Sequence, residues 1–290
     1  MDFRRAETTD EILSLLSELG PDAAILAGGT DLMVQYLRGE VAPRVLLHIE
    51  GVSELRGVRL VDDVLEIGTA TTHRDVGSDH QIRSHLPGLA EAARQVGGFQ
   101  TQAVGTVGGN ICNASPAADT VPPLLVADAE ALLVSSRGSR VVPLGRFLLG
   151  RRRTGRRPDE LLAAIRARPL PSGSGETYLK VGRRGGMEVA IVGLAARVGF
   201  SGETITDVRL AVCSMAPTPL RLPEAEQTLV GTRGEPEAVA AAAAAILDAT
   251  EPIDDARATA AYRRRLVEPL VGEAMRICRR RARGEEVAWN

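Results

Sequence analysis

Hydrophobic and polar positions along this chain follow two periods, and the changes of period divide it into three stretches. In the first stretch, Thr8-Thr9-Asp10-Glu11 fits a capping box. Ile12, Leu15, Leu16 and Leu19 follow at i, i+3, i+4 and i+7, which predicts a helix that Gly20-Pro21 ends. Ala23 to Leu26 reads as a short buried strand and runs straight into Ala27-Gly28-Gly29-Thr30-Asp31-Leu32. A helix to about Leu37 and a strand from Val45 to Ile49 complete a small parallel α/β unit.

From about Gly57 the rhythm changes. Gly57 to Val61 and Val64 to Gly68 flank Asp62-Asp63 and predict a hairpin. Pro87 to Val96 predicts a helix with Leu89, Ala92, Ala93 and Val96 on one face. A glycine-rich loop, Gly105 to Asn110, comes next, then a helix over Thr120 to Ala127 and strands at Ala131 to Ser135 and Ser139 to Leu144. The five arginines between Arg151 and Arg157 read as a solvated turn, with phosphate contact as the second reading. Pro171-Ser172-Gly173-Ser174-Gly175 reads as the main linker. Beyond it come strands at Thr177 to Val181, Glu188 to Val198 and Ile205 to Cys213. Helices follow at about Pro223 to Leu229, Glu235 to Leu247 and Arg257 to Arg281.

Composition narrows the function. With 290 residues the chain fits about two domains at roughly 150 residues each. A hydrophobic fraction of 44% argues against extensive disorder, and a net charge of −2 argues against a nucleic-acid binder. No apolar run approaches the roughly 20 residues needed to span a bilayer, and the opening residues have no signal-peptide core, so a cytoplasmic location is expected. Cys112, Cys213 and Cys278 form no CxxC, and the four histidines form no HExxH, so no metal site is expected. No Ser/His/Asp or Cys/His arrangement suggests a nucleophile or a proton-transfer residue. Among 35 basic residues, Lys180 is the sole lysine, which raises the question whether a site needs a compact ammonium there.

Two glycine-rich segments carry the candidate chemistry. Ala27, Gly28, Gly29, Thr30, Asp31 and Leu32 join a buried strand to a helix, where bare amides can turn toward an anion. Neither GxGxxG nor GK[ST] is present, so this is not a Rossmann or Walker A loop. Thr106, Val107, Gly108, Gly109 and Asn110 form the second segment. Together they suit one long phosphate-bearing ligand such as FAD or NAD.

At AGGTDL (27–32), GTVGGNICNASPAADTVPPLL (105–125) and YLKVGRRGGMEVAIVGLAA (178–196) the chain resembles the FAD-binding medium subunit of molybdenum hydroxylases. This family includes carbon monoxide and xanthine dehydrogenases. The resemblance implies an α+β fold of the p-cresol-methylhydroxylase type. Two α/β FAD-binding subdomains would span 1–56 and 57–172, and a C-terminal α+β domain with an antiparallel sheet and helices would span 176–290. It implies that both glycine segments face FAD, and that Asp119, Leu162 and Lys180 contact it. It implies non-covalent FAD, with molybdopterin and [2Fe–2S] clusters only on partner subunits, in a dimer of heterotrimers. Electrons would pass from those clusters to FAD and on to NAD+, oxygen or a quinone-linked acceptor.

The chain departs from the family pattern in two places. Gln102-Ala103-Val104 precede the second segment where the family often has Asn or Arg, and Met187-Glu188-Val189-Ala190 offers no aromatic to the flavin ring. The branch with a cysteine-rich iron–sulfur loop is excluded, because no such cysteines are present. The alternative is a stand-alone FAD-dependent oxidoreductase of the same fold.

Overall fold

The computed structural model describes residues 1–287; the last three residues of the C-terminal stretch expected over 176–290 lie outside it. Thr8 caps the helix Thr9–Leu19 by accepting from the Glu11 amide at 3.2 Å, and the Glu11 carboxylate accepts from the Glu7 amide. The reciprocal bond of the capping box therefore lands one residue earlier than the motif places it. Gly20, at φ +52°, ends the helix in a conformation that glycine adopts without Cβ strain. Asp2–Arg5, Val45–His48 and Ala23–Leu26 form a three-stranded parallel sheet with Val45–His48 in the middle. Its core joins Ile12 and Leu16 of the helix to Leu47, Ile49 and Leu55.

The middle stretch builds a five-stranded antiparallel sheet in the order Val58–Val61, Val64–Gly68, Leu161–Ala167, Glu130–Ser135, Gly138–Pro143. Asp62 and Asp63 both have positive φ, as a tight primed turn requires. The central strand, Leu161–Ala167, is absent from the sequence reading. Most of its residues are buried, so it shows no alternation to distinguish it. The reading also treats Gly105 to Asn110 as a loop. In the structure Val107–Asn113 is helical, and Thr106 caps it by accepting from the Gly109 amide. Short helices at His73–Ser78, His80–His85 and Phe99–Val104 were likewise not anticipated.

The C-terminal stretch forms a four-stranded antiparallel sheet: Ser174–Val181, Val192–Ser201, Thr204–Cys213 and Leu220–Arg221. Ser174 and Gly175 belong to its first strand, so the turn between units is shorter than the predicted linker. The sheet is covered on both sides. Leu194, Ala196, Val198, Leu210 and Val212 pack with the helices Pro236–Asp248 and Ala260–Ala282. Tyr178, Ala195 and Ala211 face the middle unit and join its core. Burial on both faces explains why Ala190 to Val198 reads as an almost unbroken apolar run.

The middle-facing side also carries charge. Glu176 and Arg197 are opposite each other on adjacent strands and almost fully buried. Arg197 Nε donates to Glu176 at 2.6 Å and Nη1 to the Arg168 carbonyl, while the other Glu176 oxygen accepts from the Gly88 amide. This cluster ties the C-terminal sheet to the helix Pro87–Ala93 and to the chain entering the unit.

Candidate functional site

A cleft of about 430 Å³ opens where the N-terminal and middle units meet. Its walls bring together most of the residues singled out in the sequence: Ala27 through Leu32 from one side, Thr106, Gly108, Gly109 and Asn110 from the other, and Leu162. The two glycine segments touch backbone to backbone. A Cβ on Gly28 would lie 1.8 Å from the Val104 carbonyl oxygen and 3.0 Å from the Gly105 nitrogen, so only glycine permits this approach.

The two segments differ in what they offer a ligand. Among the described residues, none of the amides of Ala27 through Leu32 donates a hydrogen bond within the protein. In the second segment the Val107 and Gly108 amides donate to the Thr71 and Thr69 carbonyls, and the Gly109 and Asn110 amides to Thr106. The first segment is open to an anion, whereas the second is already bonded and supplies a shaped wall with polar side chains. Gly108 is needed for that wall, since a Cβ there would lie 2.4 Å from Thr69 Cβ.

Polar bridges fix the walls. Gln35 Nε2 donates to Asn113 Oδ1 at 3.0 Å across the cleft, and Thr120 donates to Asn110 Oδ1 at 2.7 Å. Thr69 Oγ1 donates to the Leu162 carbonyl at 2.6 Å. The arginine turn is more than a solvated loop, because Arg152 and Arg156 both line the cleft. Arg152 pairs with Glu40, and Arg156 donates to the Glu160 carbonyl. Cys112 also lines the cleft, and burial pushes its thiol up to about 11, so it stays protonated at neutral pH.

Val107, Asp119 and Lys180 are not among the residues that line the cleft. Val107 is wholly buried core. Lys180 donates to the Gln95 carbonyl at 2.9 Å, to Asp119 Oδ2 at 2.8 Å and to the Glu188 carbonyl at 2.9 Å. An ammonium has three protons, so none is left for a ligand in this arrangement. Tyr178 donates to the other Asp119 oxygen at 2.7 Å. Asp119 thus binds two residues of one strand, and their period-2 spacing places both on its middle-facing side. Met187 packs against Gly98 and is exposed, and Val189, at the position where the family variant has an aromatic, is exposed as well.

Several residues of the cleft escaped the sequence reading, His73 among them. His73 lines it and is only 2% exposed, yet its Nδ1 is buried without a hydrogen-bond partner. Burial lowers its pKa to about 4, so the ring is neutral. Its only sequence signal is its place after Thr69-Ala70-Thr71-Thr72, at the end of a hairpin strand.

Comparisons with known proteins agree with this geometry. Residues 1–169 match the family described as the FAD binding domain in molybdopterin dehydrogenase. Residues 177–277 match the CO dehydrogenase flavoprotein C-terminal domain. The chain is 34% identical over 270 residues to the putative xanthine dehydrogenase FAD-binding subunit XdhB of Escherichia coli, covering 92% of each. It is 32% identical to the carbon monoxide dehydrogenase medium chain of Hydrogenophaga pseudoflava, covering 94% of this chain and 95% of that one. A solved structure of carbon monoxide dehydrogenase from that organism superposes with a TM-score of 0.92 over 96% of both chains at 32% identity. The fold is the p-cresol-methylhydroxylase type with an added C-terminal α+β domain. The chain belongs to the family of FAD-binding flavoprotein subunits of molybdopterin dehydrogenases, and is an oxidoreductase component.

Proposed function

We propose that this chain is the electron-transferring flavin subunit of a molybdenum-dependent dehydrogenase, working with a large molybdopterin subunit and a small [2Fe–2S] subunit as a dimer of heterotrimers in the cytoplasm. Bound FAD supplies the chemistry, taking electrons from the clusters and yielding them to NAD+, oxygen or a quinone-linked acceptor, while the protein supplies binding and orientation. The observation that carries this reading is the cleft itself, with the unbonded amides of 27–32 facing a glycine wall at a contact too close for any side chain.

In this reading the amides of Gly28 through Leu32 hold the diphosphate, helped by the positive charge of Arg152 and Arg156. Thr30, Thr106 and Asn110 offer hydroxyl and amide groups to the cofactor, and Leu162 an apolar wall. Asp119 and Lys180 act from outside the cleft lining, fixing the C-terminal strand against the chain at Gln95, next to the cleft residue Val96. The protonated Cys112 thiol is not a nucleophile, which favours a non-covalent flavin. Substrate oxidation belongs to the partner carrying molybdenum.

The test is direct. The purified chain should bind added FAD, show the flavin absorbance band and release the flavin on acid denaturation. Protein that remains colourless after incubation with FAD overturns the reading. A chain that binds FAD but reduces it with a small-molecule substrate of its own, without partners, is instead the stand-alone oxidoreductase.

A further inference from the structure

The His73 imidazole lies at the seam between the two glycine segments. The His73 amide donates to the Gly105 carbonyl at 2.9 Å. A Cβ built on Gly105 would lie 3.3 Å from His73 Cδ2 and 3.6 Å from Thr30 Oγ1. The imidazole and the Thr30 hydroxyl therefore flank Gly105, and both residues line the cleft. Among the described residues no side-chain hydrogen bond is made by either ring nitrogen; Nδ1 is wholly buried, whereas Nε2, next to Cδ2, keeps accessible surface in the cleft. With no acceptor beside the buried Nδ1, a proton there would be left unpaired, which places the N–H on Nε2. A neutral imidazole always has one N–H to give and one lone pair to accept.

The nearest groups at the seam are uncharged: the Thr30 hydroxyl and the Thr101 carbonyl, both within 4 Å of the Gly105 Cβ position. No charged side chain contributes to the depressed basicity of the ring, which follows from burial alone. The ring is thus a neutral donor beside the free amides of 27–32, where an anionic oxygen would be received.

We propose that His73 is a cofactor-binding residue whose neutral imidazole donates its Nε2–H to the diphosphate of FAD beside the Gly28–Gly105 seam. This rests on the FAD reading above, and the experiment separates the two. FAD, ADP and adenosine are titrated into the full-length flavin-free chain and into His73→Phe, which keeps a ring and removes both nitrogens. Wild type should bind FAD and ADP. His73→Phe should bind both about tenfold more weakly, the equivalent of one hydrogen bond, with adenosine binding unchanged. His73→Asn, which retains an N–H, should recover part of the loss. Equal FAD and ADP affinity in wild type and His73→Phe overturns the assignment while leaving the FAD reading intact. So does an equal loss for adenosine, which would make the ring a packing element. Wild type that binds neither FAD nor ADP refutes the cofactor reading itself. If His73→Phe does not fold, the imidazole 15N signals of wild type decide. One His73 ring nitrogen should shift on addition of ADP but not of adenosine, and an unchanged spectrum overturns the proposal.

Discussion

Substituting Gly28 by alanine probes the contact on which the cleft depends. The new methyl would sit 1.8 Å from the Val104 carbonyl oxygen and 2.4 Å from its carbon, both backbone atoms that no rotamer change can move. Reaching an ordinary contact requires the two segments to separate by about 1.5 Å, and forcing atoms into a packed site of this kind costs about 1–3 kcal/mol. The separation also displaces the open amides from the far wall. Hydrogen bonds hold only over about 2.7–3.2 Å, so a shift of this size breaks any that span from the first segment to the ligand. Losing two amide–phosphate bonds at about 1.5 kcal/mol each raises the FAD dissociation constant by at least about 100-fold. Fluorescence titration with FAD, alongside urea unfolding of the flavin-free protein, measures both effects. Gly186→Ala is the control, because nothing lies within 4 Å of its Cβ position and its φ is ordinary. If Gly28→Ala binds FAD within about threefold of wild type and unfolds at the same urea concentration, the close approach is not what shapes the site.

Further outcomes follow from the buried groups. Lys180→Arg replaces a fully bonded ammonium with a larger planar fork and should destabilise the flavin-free protein by about 1–3 kcal/mol in urea unfolding. A large loss of FAD affinity at unchanged stability would instead restore direct contact between Lys180 and the cofactor. In flavin-free protein the depressed basicity of His73 stabilises the fold above pH 6.5, and this contribution fades as pH falls from 6.5 toward about 4, because the unfolded chain takes the proton first. Between pH 7.5 and pH 5 wild type should lose about 2 kcal/mol relative to His73→Gln, and parallel pH profiles would show that the ring is not buried. Arg197→Met leaves Glu176 buried without its partner and should cost about 3–5 kcal/mol by chemical denaturation, while a change below about 1 kcal/mol would show that water reaches the pair.

Sequence reading succeeded where one residue type dictates local geometry. Thr8, Gly20 and the Asp62-Asp63 pair each specify a cap or a turn, and the structure places each one there. It failed where burial erases periodicity, as in Leu161–Ala167, and where a hydroxyl cap turns glycine-rich chain into helix, as at Thr106. The site was legible as two glycine segments, but which of them keeps free amides depends on partners at Thr69 and Thr71 that no local pattern reveals. Lys180 shows the limit most clearly. Composition and motif both singled it out, but only strand register shows that it sits beside Tyr178 on the side facing Asp119. His73 went unnoticed because an unpaired nitrogen is a property of its surroundings.

The central position of Leu161–Ala167 also sets a timetable for biosynthesis. This strand separates Val64–Gly68 from Glu130–Ser135, and its Leu162 and Ala163 carbonyls receive the Thr69 hydroxyl and amide. Pairings this distant in sequence form late, because long loops must close before any contact rewards them. While a ribosome is still short of residue 161, the glycine segments have emerged but the wall behind them has no central strand. A chain that ends before that point has every other residue of the cleft lining but neither Leu161 and Leu162 nor the strand that joins the two halves of the sheet, so the cleft is completed by the last segment of its unit to be made.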